Sequence, residues 1–387
     1  MKQEMIGQGT IVLVAAVIIT AIVVGVAVYL VMPQAEEEEE EEPEESYTIG
    51  FVSRPYGGWC GWQDAFWLGF NMTCTEAGLQ SIHLESRGET AEDQVEAGMR
   101  ILTMGVDALI VAPWDSIGTI PIVEAAKAKG IPVATADGDI DSPDVAFYVA
   151  FNNYDAGVVT GEAMAEYIRD EVEPIGEVSG NILVYSEPAA NLASWERGEG
   201  FRSVMEQYPD IEIDEHMPGT GERGEVMEDA LSALRARDYV GTYSVSGNKA
   251  CGVVDAMLTL GEDPTEYANF TIDAMPSVIE YMKDGYIQYA FDQPPQFYNA
   301  IAIYYLVKIL EGEALPQIGD TITSDDITLP NPEISGAYFW SYSEYWEPIE
   351  VIEHFGHIQL RTNALAVTPE IASDDWLWGN MWAEYFE

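Results

Sequence analysis

From Tyr47 onward, short apolar runs alternate with longer amphipathic stretches, and glycines stand near many of the junctions. The pattern predicts strands over 48–53, 81–84, 107–112, 131–136 and 146–151, and again over 181–185, 211–216, 239–245, 270–273 and 289–292. Helices are predicted between them near 63–77, 90–104, 117–129, 154–169, 194–207, 224–237, 249–260, 277–283 and 297–310. The run DALIVA at 107–112 is almost wholly apolar, as a parallel strand covered on both faces must be. Thr90 with Asp93 three residues on stands at capping-box distance, which fixes a helix start. Strand–helix repetition of this kind means right-handed crossovers and parallel sheets with helices on both faces. The rhythm restarts after Gly180, so the expected fold class is α/β with two doubly wound parallel-sheet lobes.

Residues 11–32 are 22 positions without a charge, broken only by Thr20 and Gly25. As a helix they would span roughly 33 Å, enough for a hydrocarbon core of about 30 Å. A short segment, 1–10, precedes them. A transmembrane anchor is the favoured reading, because the stretch exceeds an ordinary signal-peptide core and Pro33 ends it without a small-residue cleavage site. A cleaved signal helix is the alternative. Nine of the ten residues at 36–45 are glutamate, so 33–46 is expected to be an extended, self-repelling linker. The remainder of the chain is then extracytoplasmic, anchored to the cell membrane by its N-terminal helix.

Charge narrows the function. The chain has 67 Asp and Glu against 16 Lys and Arg, for a net charge of −51. The part after residue 46 alone is near −42. Such a surface repels phosphates and excludes a nucleic-acid binder. A salty exterior, where screening weakens self-repulsion, is one setting that tolerates it. Cys60, Cys74 and Cys251 lack metal-ligand spacing and are too few for a disulfide framework.

Open parallel sheets bind ligands beyond the carboxyl ends of their strands, so the residues there matter most. They are Arg54, Trp59 and Trp62 after the first strand, Trp114 and Asp115 after DALIVA, and Asp137 after PVATA. In the second half they are Asn248, Asp273 and Gln293. Carboxylates and amides beside indole faces suit a polyhydroxylated ring, whose hydroxyls need hydrogen bonds and whose C–H face stacks on aromatics.

The ordered stretches GVDALIVAPWDS (105–116), AKAKGIPVATAD (126–137), FNNYDAGVVTGE (151–162), ERGEGF (196–201), YPDIEI (208–213), MKDG (282–285), DQPP (292–295) and TPEIASDDWLWGN (368–380) resemble the type I periplasmic sugar-binding proteins that serve ABC transporters. The resemblance implies a three-crossover hinge near Asn152, near 293–294 and near 319–322. Lobe 1 is then 47–152 plus 294–321, lobe 2 is 153–293, and 322–387 is an aromatic-rich C-terminal segment packing across the lobes. It implies a stacking aromatic at Trp62 or Trp59, hydroxyl-binding aspartates at Asp137 and Asp273, and a hinge glutamine at Gln293. Partners implied are a small-molecule sugar and a permease, with the binder a monomer needing no cofactor.

Three positions depart from the family's pattern. Gly138 and Trp195 stand where arginines are usual, and the polar pair after YSVSG is displaced onto Ser246, Gly247 and Asn248. The departures argue against cationic clamps and for a larger or less polar ring between Trp62 and Trp195, with Trp114 as a further stacking candidate. Asp137-x-Asp139-x-Asp141 starts like a calcium loop, but Ser142 and Tyr148 occupy the positions that require glycine and glutamate. His354 and His357 are expected to be a surface pair, and no metal site is expected. No nucleotide loop, nucleophile elbow or zincin motif is present, so a binder rather than an enzyme is expected. Alternatives within the binding class are a sensory receptor subunit, or a receptor for a nucleoside or autoinducer-like ligand.

Overall fold

The computed structural model describes residues 46–54, 61–88, 90–172, 176–219, 221–329 and 343–380. The apolar segment 11–32, the glutamate run and Trp59 lie outside them. Among the described residues no helix is long and apolar enough to cross a membrane.

The first half folds as β1 (Thr48–Ser53), α1 (Trp62–Glu76), β2 (Gln80–Glu85), α2 (Ala91–Ile101), β3 (Ala108–Val111), α3 (Ile120–Ala128), β4 (Val133–Ala136) and β5 (Phe147–Ala150). The Thr90 hydroxyl accepts from Asp93 N at 3.1 Å and so starts α2. Central strands β3, β4 and β5 are buried at every residue, whereas the edge strand β2 is mostly half-buried or exposed. Helices on both faces therefore account for the absence of strict alternation in DALIVA and PVATA.

The second half repeats the plan with α4 (Asn153–Tyr167), β6 (Gly180–Tyr185), α5 (Leu192–Met205), β7 (Ile211–His216), α6 (Arg223–Ala236), β8 (Gly241–Ser244), α7 (Gly247–Leu260), β9 (Ala268–Ile272), α8 (Pro276–Lys283), β10 (Tyr289–Asp292) and α9 (Pro295–Leu310). A π-helical turn, Ile168–Val172, extends α4. Among the described residues four further strands follow: β11 (Thr321–Ile322), β12 (Ile349–His354), β13 (His357–Arg361) and β14 (Leu365–Val367).

One sheet has the order β11-β12-β13-β5-β4-β3-β1-β2 and the other β14-β10-β9-β8-β6-β7. Without the C-terminal strands both are parallel and share one order, β2-β1-β3-β4-β5 matching β7-β6-β8-β9-β10. The C-terminal segment is strand rather than mere packing. It adds the β12–β13 hairpin to the first sheet, β13 lying parallel to β5, and it adds β14 antiparallel to β10 in the second.

The chain passes between sheets after β5, again between β10 and α9, and a third time between β13 and β14, at 362–364. The third passage is thus displaced from the expected 319–322, because β11 pairs with β12 inside the first sheet. The correction follows from the extra hairpin, which keeps the chain on the first sheet for another forty or so residues.

Helices α4 and α5 touch backbone to backbone. A Cβ on Gly157 would lie 2.1 Å from the Arg197 carbonyl oxygen, and one on Gly200 would lie 2.0 Å from that of Tyr154. Only glycine permits this approach, and it sets the position of Arg197 on α5.

Candidate functional site

The loops beyond the carboxyl ends of both sheets meet around a cavity with an empty volume of about 430 Å3. Its described lining comprises Arg54 and Asp137 from the first sheet's loops, Ser246, Asn248, Asp273 and Gln293 from the second's, and the starts of α1 and α5. Space open to the centre of a water molecule is only about 30 Å3, room for one or two waters. A larger solute therefore enters only when the walls move apart. Ser116 N donates to the Ala190 carbonyl at 3.3 Å, joining the loop after β3 to the segment before α5.

Asp137 and Asp273 occupy matching places, one residue past β4 and β9. Both are left-handed, with φ of 67° and 71°. Aspartate tolerates that region better than most residues, yet the conformation is held at a cost. Asp137 N is bound to Val149 O and Asp273 N to Phe291 O, each at the neighbouring strand, so the ladder itself enforces the turn.

Two buried arginines stand against these acids. Arg54 Nη2 lies 3.5 Å from Asp137, Arg197 Nη2 lies 3.8 Å from Asp137, and Arg197 Nη1 lies 3.6 Å from Asp273. All three exceed hydrogen-bond length, so charge is balanced while good directional contacts stay unused. Each guanidinium is held from behind. Arg54 donates twice to the Pro113 carbonyl, at 2.9 and 3.3 Å. Arg197 donates to Asn153 Oδ1 at 2.9 Å and to the Val245 carbonyl at 3.1 Å, above the Phe151 ring.

Burial opposes charge on Arg197, but the fields of Asp273 and Asp137 outweigh it and hold the guanidinium above its ordinary range. Burial pushes the Asp273 carboxyl up by more than Arg197 and Gln293 pull it down. Gln293 Nε2 donates to Asp273 Oδ1 at 2.6 Å, and the Ser246 hydroxyl is buried without a hydrogen-bond partner among the described residues.

Of the residues singled out in the sequence, Asp137, Asn248, Asp273 and Gln293 line the cavity. Trp62 opens α1, but its side chain lies outside the described residues. Trp114 is not among the described lining, and its ring lies 5.4 Å from the Arg54 guanidinium, which it braces. Trp195 is likewise outside that described lining. It is half-buried on α5, rotated by one residue from Ser194 and off the face that carries Ser194 and Arg197 into the cavity.

Two guanidinium groups line the cavity despite Gly138 and Trp195. Arg54, just after β1, lies 3.6 Å from where a Cβ on Gly138 would begin, and Arg197 acts from two residues beyond the position expected. Sequence reasoning passed over Arg197, Gln63 and Ser194. The available signal was an arginine at a buried helical position in a chain so short of bases. His354 and His357 are not a surface pair either: His357 is buried, and both rings bond to Asp139. Spacing along the chain cannot reveal a partner more than 200 residues away.

A family model described as a periplasmic binding protein domain matches residues 49–314. The galactofuranose-binding protein YtfQ of Escherichia coli is 25% identical over 291 residues, covering 73% of this chain and 88% of its own. The ribose import binding protein RbsB of Bacillus subtilis is 25% identical over 246 residues, covering 63% and 76%. The binding component of the arabinose ABC transporter from Shewanella sp. ANA-3 superposes with a TM-score of 0.69 at 19% identity, over 87% of this chain and 97% of that one. Paired sheets of one strand order, a cavity at their facing carboxyl ends and the match over 49–314 agree, and the chain belongs to the periplasmic binding protein domain family.

Proposed function

We propose that the chain is an extracytoplasmic solute-binding protein that captures a sugar between its two lobes and presents it to an ABC importer, with residues 11–32 as its membrane tether. The observation that carries this reading is the convergence of Asp137, Asp273, Asn248, Gln293, Arg54 and Arg197 from both sheets on one narrow cavity. Ion pairs at 3.5–3.8 Å leave carboxylate and guanidinium edges open to hydroxyls, which donate to one and accept from the other. The two cationic groups favour a small polar ring over the larger apolar one. Among the described lining residues no nucleophile is paired with a base, so binding and release are the whole task. Lobe closure about the three passages is the conformational step.

Thermal unfolding of the full chain in mild detergent, against pentoses, hexoses, disaccharides and nucleosides at low and high salt, tests this. A ligand at 100 times its dissociation constant stabilises by about 2.7 kcal/mol. A rise confined to one sugar supports the reading and names the ligand. A cooperative transition that no sugar moves removes it.

A further inference from the structure

Asp139, two residues beyond Asp137, faces away from the cavity. Its carboxylate is fully buried. One oxygen, Oδ1, accepts from Thr135 Oγ1 at 2.6 Å and from Ile140 N at 2.8 Å. The other, Oδ2, meets His354 Nδ1 at 2.6 Å and His357 Nε2 at 2.9 Å. The three ligand-type atoms all lie within 4.8 Å of one another.

The hairpin is built to bring these rings together. His354 and His357 are register partners at the end of β12 and β13, joined by a two-residue turn. In that turn Phe355 and Gly356 have φ of 47° and 85°. Left-handed backbone is ordinary for glycine and an outlier for phenylalanine, so the turn is strained where it sets the histidines on one side of the hairpin. Such strain gathers at functional sites.

Hydrogen bonding then fixes how His357 presents itself. Its Nδ1 lies 3.1 Å from the Ser142 carbonyl. A carbonyl only accepts, so Nδ1 carries the hydrogen, and Nε2 is aimed at the Asp139 carboxylate. Either a proton or a metal ion can stand between that nitrogen and the carboxylate oxygen. A carbonyl that fixes the tautomer of one ring, and a hydroxyl and an amide that orient the carboxylate, are the outer-shell arrangement of a metal site.

We propose that Asp139, His354 and His357 form a binding site for a divalent first-row transition ion, Zn2+ being the best fit to two imidazoles and one carboxylate. Ligand atoms sharing a tetrahedral ion at about 2.0–2.2 Å stand about 3.3–3.6 Å apart. The contacts of 2.6 and 2.9 Å therefore need to widen by less than an ångström. His354, with 22% of its side chain exposed, is the side from which an ion enters. The ion would tie the loop bearing Asp137 to the β12–β13 hairpin. Glu196 on α5, which feels the charge of both His354 and Asp139, would gain an opposite charge across the gap between lobes. The site stands on its own geometry and does not require that the cavity take a sugar.

The test uses the full chain in mild detergent, freed of metal by chelation, with Co2+ as a visible probe. Expected are one Co2+ per chain with the absorption of a low-coordinate nitrogen–oxygen site, its displacement by Zn2+, and a Zn2+-dependent rise in melting temperature. His354→Gln and His357→Gln should each weaken Co2+ binding by more than the about 10–100-fold that outer-shell partners cost. His354→Gln, the less buried change, keeps the test open if His357→Gln fails to fold, with circular dichroism reporting the fold. Colourless, weak, multiple binding, as an acidic surface alone gives, overturns the proposal. So does an affinity that His354→Gln leaves unchanged.

Discussion

Gln293 and Asp273 are joined by a 2.6 Å hydrogen bond that starts a path from the cavity to the hinge. The carboxamide oxygen of Gln293 accepts from the Tyr298 hydroxyl at 2.9 Å, and that hydroxyl accepts from Phe151 N at 3.3 Å. Phe151 follows β5, at the first passage between sheets, and Gln293 follows β10, at the second. An aspartate of the cavity lining is thus wired to two of the three passages between the sheets.

Tyr298→Phe removes one oxygen and leaves two buried groups, Phe151 N and Gln293 Oε1, without a partner. Unsatisfied groups cost about 1–3 kcal/mol each, so denaturant unfolding should show a loss of about 2–6 kcal/mol at unchanged slope. A midpoint equal to wild type would mean that the path carries no energy.

Arg197 balances two acids at once. Arg197→Met leaves Asp137 and Asp273 facing each other with Arg54 as their remaining cation. Breaking a buried network in this way costs about 3–5 kcal/mol. Adding Asp273→Asn to that variant should restore part of the loss, a coupling that a double-mutant cycle measures. Strictly additive effects would show that Arg197 stabilises through packing on Phe151 instead.

Much of this was legible in the sequence. All ten alternating strands form, the central ones as the continuous apolar runs that burial on both faces demands and the edge strands β2 and β7 with mixed polarity, and four of the chosen site residues line one cavity because strand ends are where such sheets hold ligands. What escaped has a physical cause. The strands β11 to β14 are short and mixed in polarity, and their partners lie far off in the chain. Phe355-Gly356 lacks the Asn or Asp that marks a tight hairpin, so the histidines looked solvent-facing. Trp195 drew attention by its chemistry, while the helical period assigned the inward face to Ser194 and Arg197.

The contact between α4 and α5 allows no side chain at Gly157 or Gly200. Gly200→Ala would normally gain from reduced unfolded-state freedom. Here the methyl group lands on the Tyr154 carbonyl, and forced helix separation of this kind costs about 1–3 kcal/mol or more. Because the shift moves Arg197, ligand affinity should fall along with stability. An alanine variant as stable as wild type would show that the helices separate freely.

Glu187 and Lys249 form a second buried pair, with Nζ 2.5 Å from Oε1 and the lysine side chain 1% exposed. Glu187→Gln leaves the ammonium with the Gly221 carbonyl at 3.3 Å. Removing one partner of a buried pair costs about 3–5 kcal/mol, and Lys249→Met in addition should recover most of it. Failure of the second change to rescue the first would place the loss elsewhere.

Asp292, directly before Gln293, makes stability depend on pH. Burial pushes its carboxyl up to about 7, more than the bonds from Ala274 N and Tyr345 pull it down, and the charge of Asp273 adds to the rise. Ala274 N donates to Oδ1 at 2.7 Å and Tyr345 to Oδ2 at 2.8 Å, so the carboxyl is fixed in place. In the unfolded chain the same group titrates near 3.9. The fold therefore prefers the protonated form. Its stabilising contribution is complete below pH of about 4 and is lost as pH rises through about 7, a total of the order of 4 kcal/mol. Asp292→Asn keeps a polar group of the same shape without the charge, and it should gain on wild type steadily between those limits and hold a constant lead above them. Unfolding free energies measured across that window decide the matter. A difference between variant and wild type that does not change with pH would mean that Asp292 stays ionised in the fold.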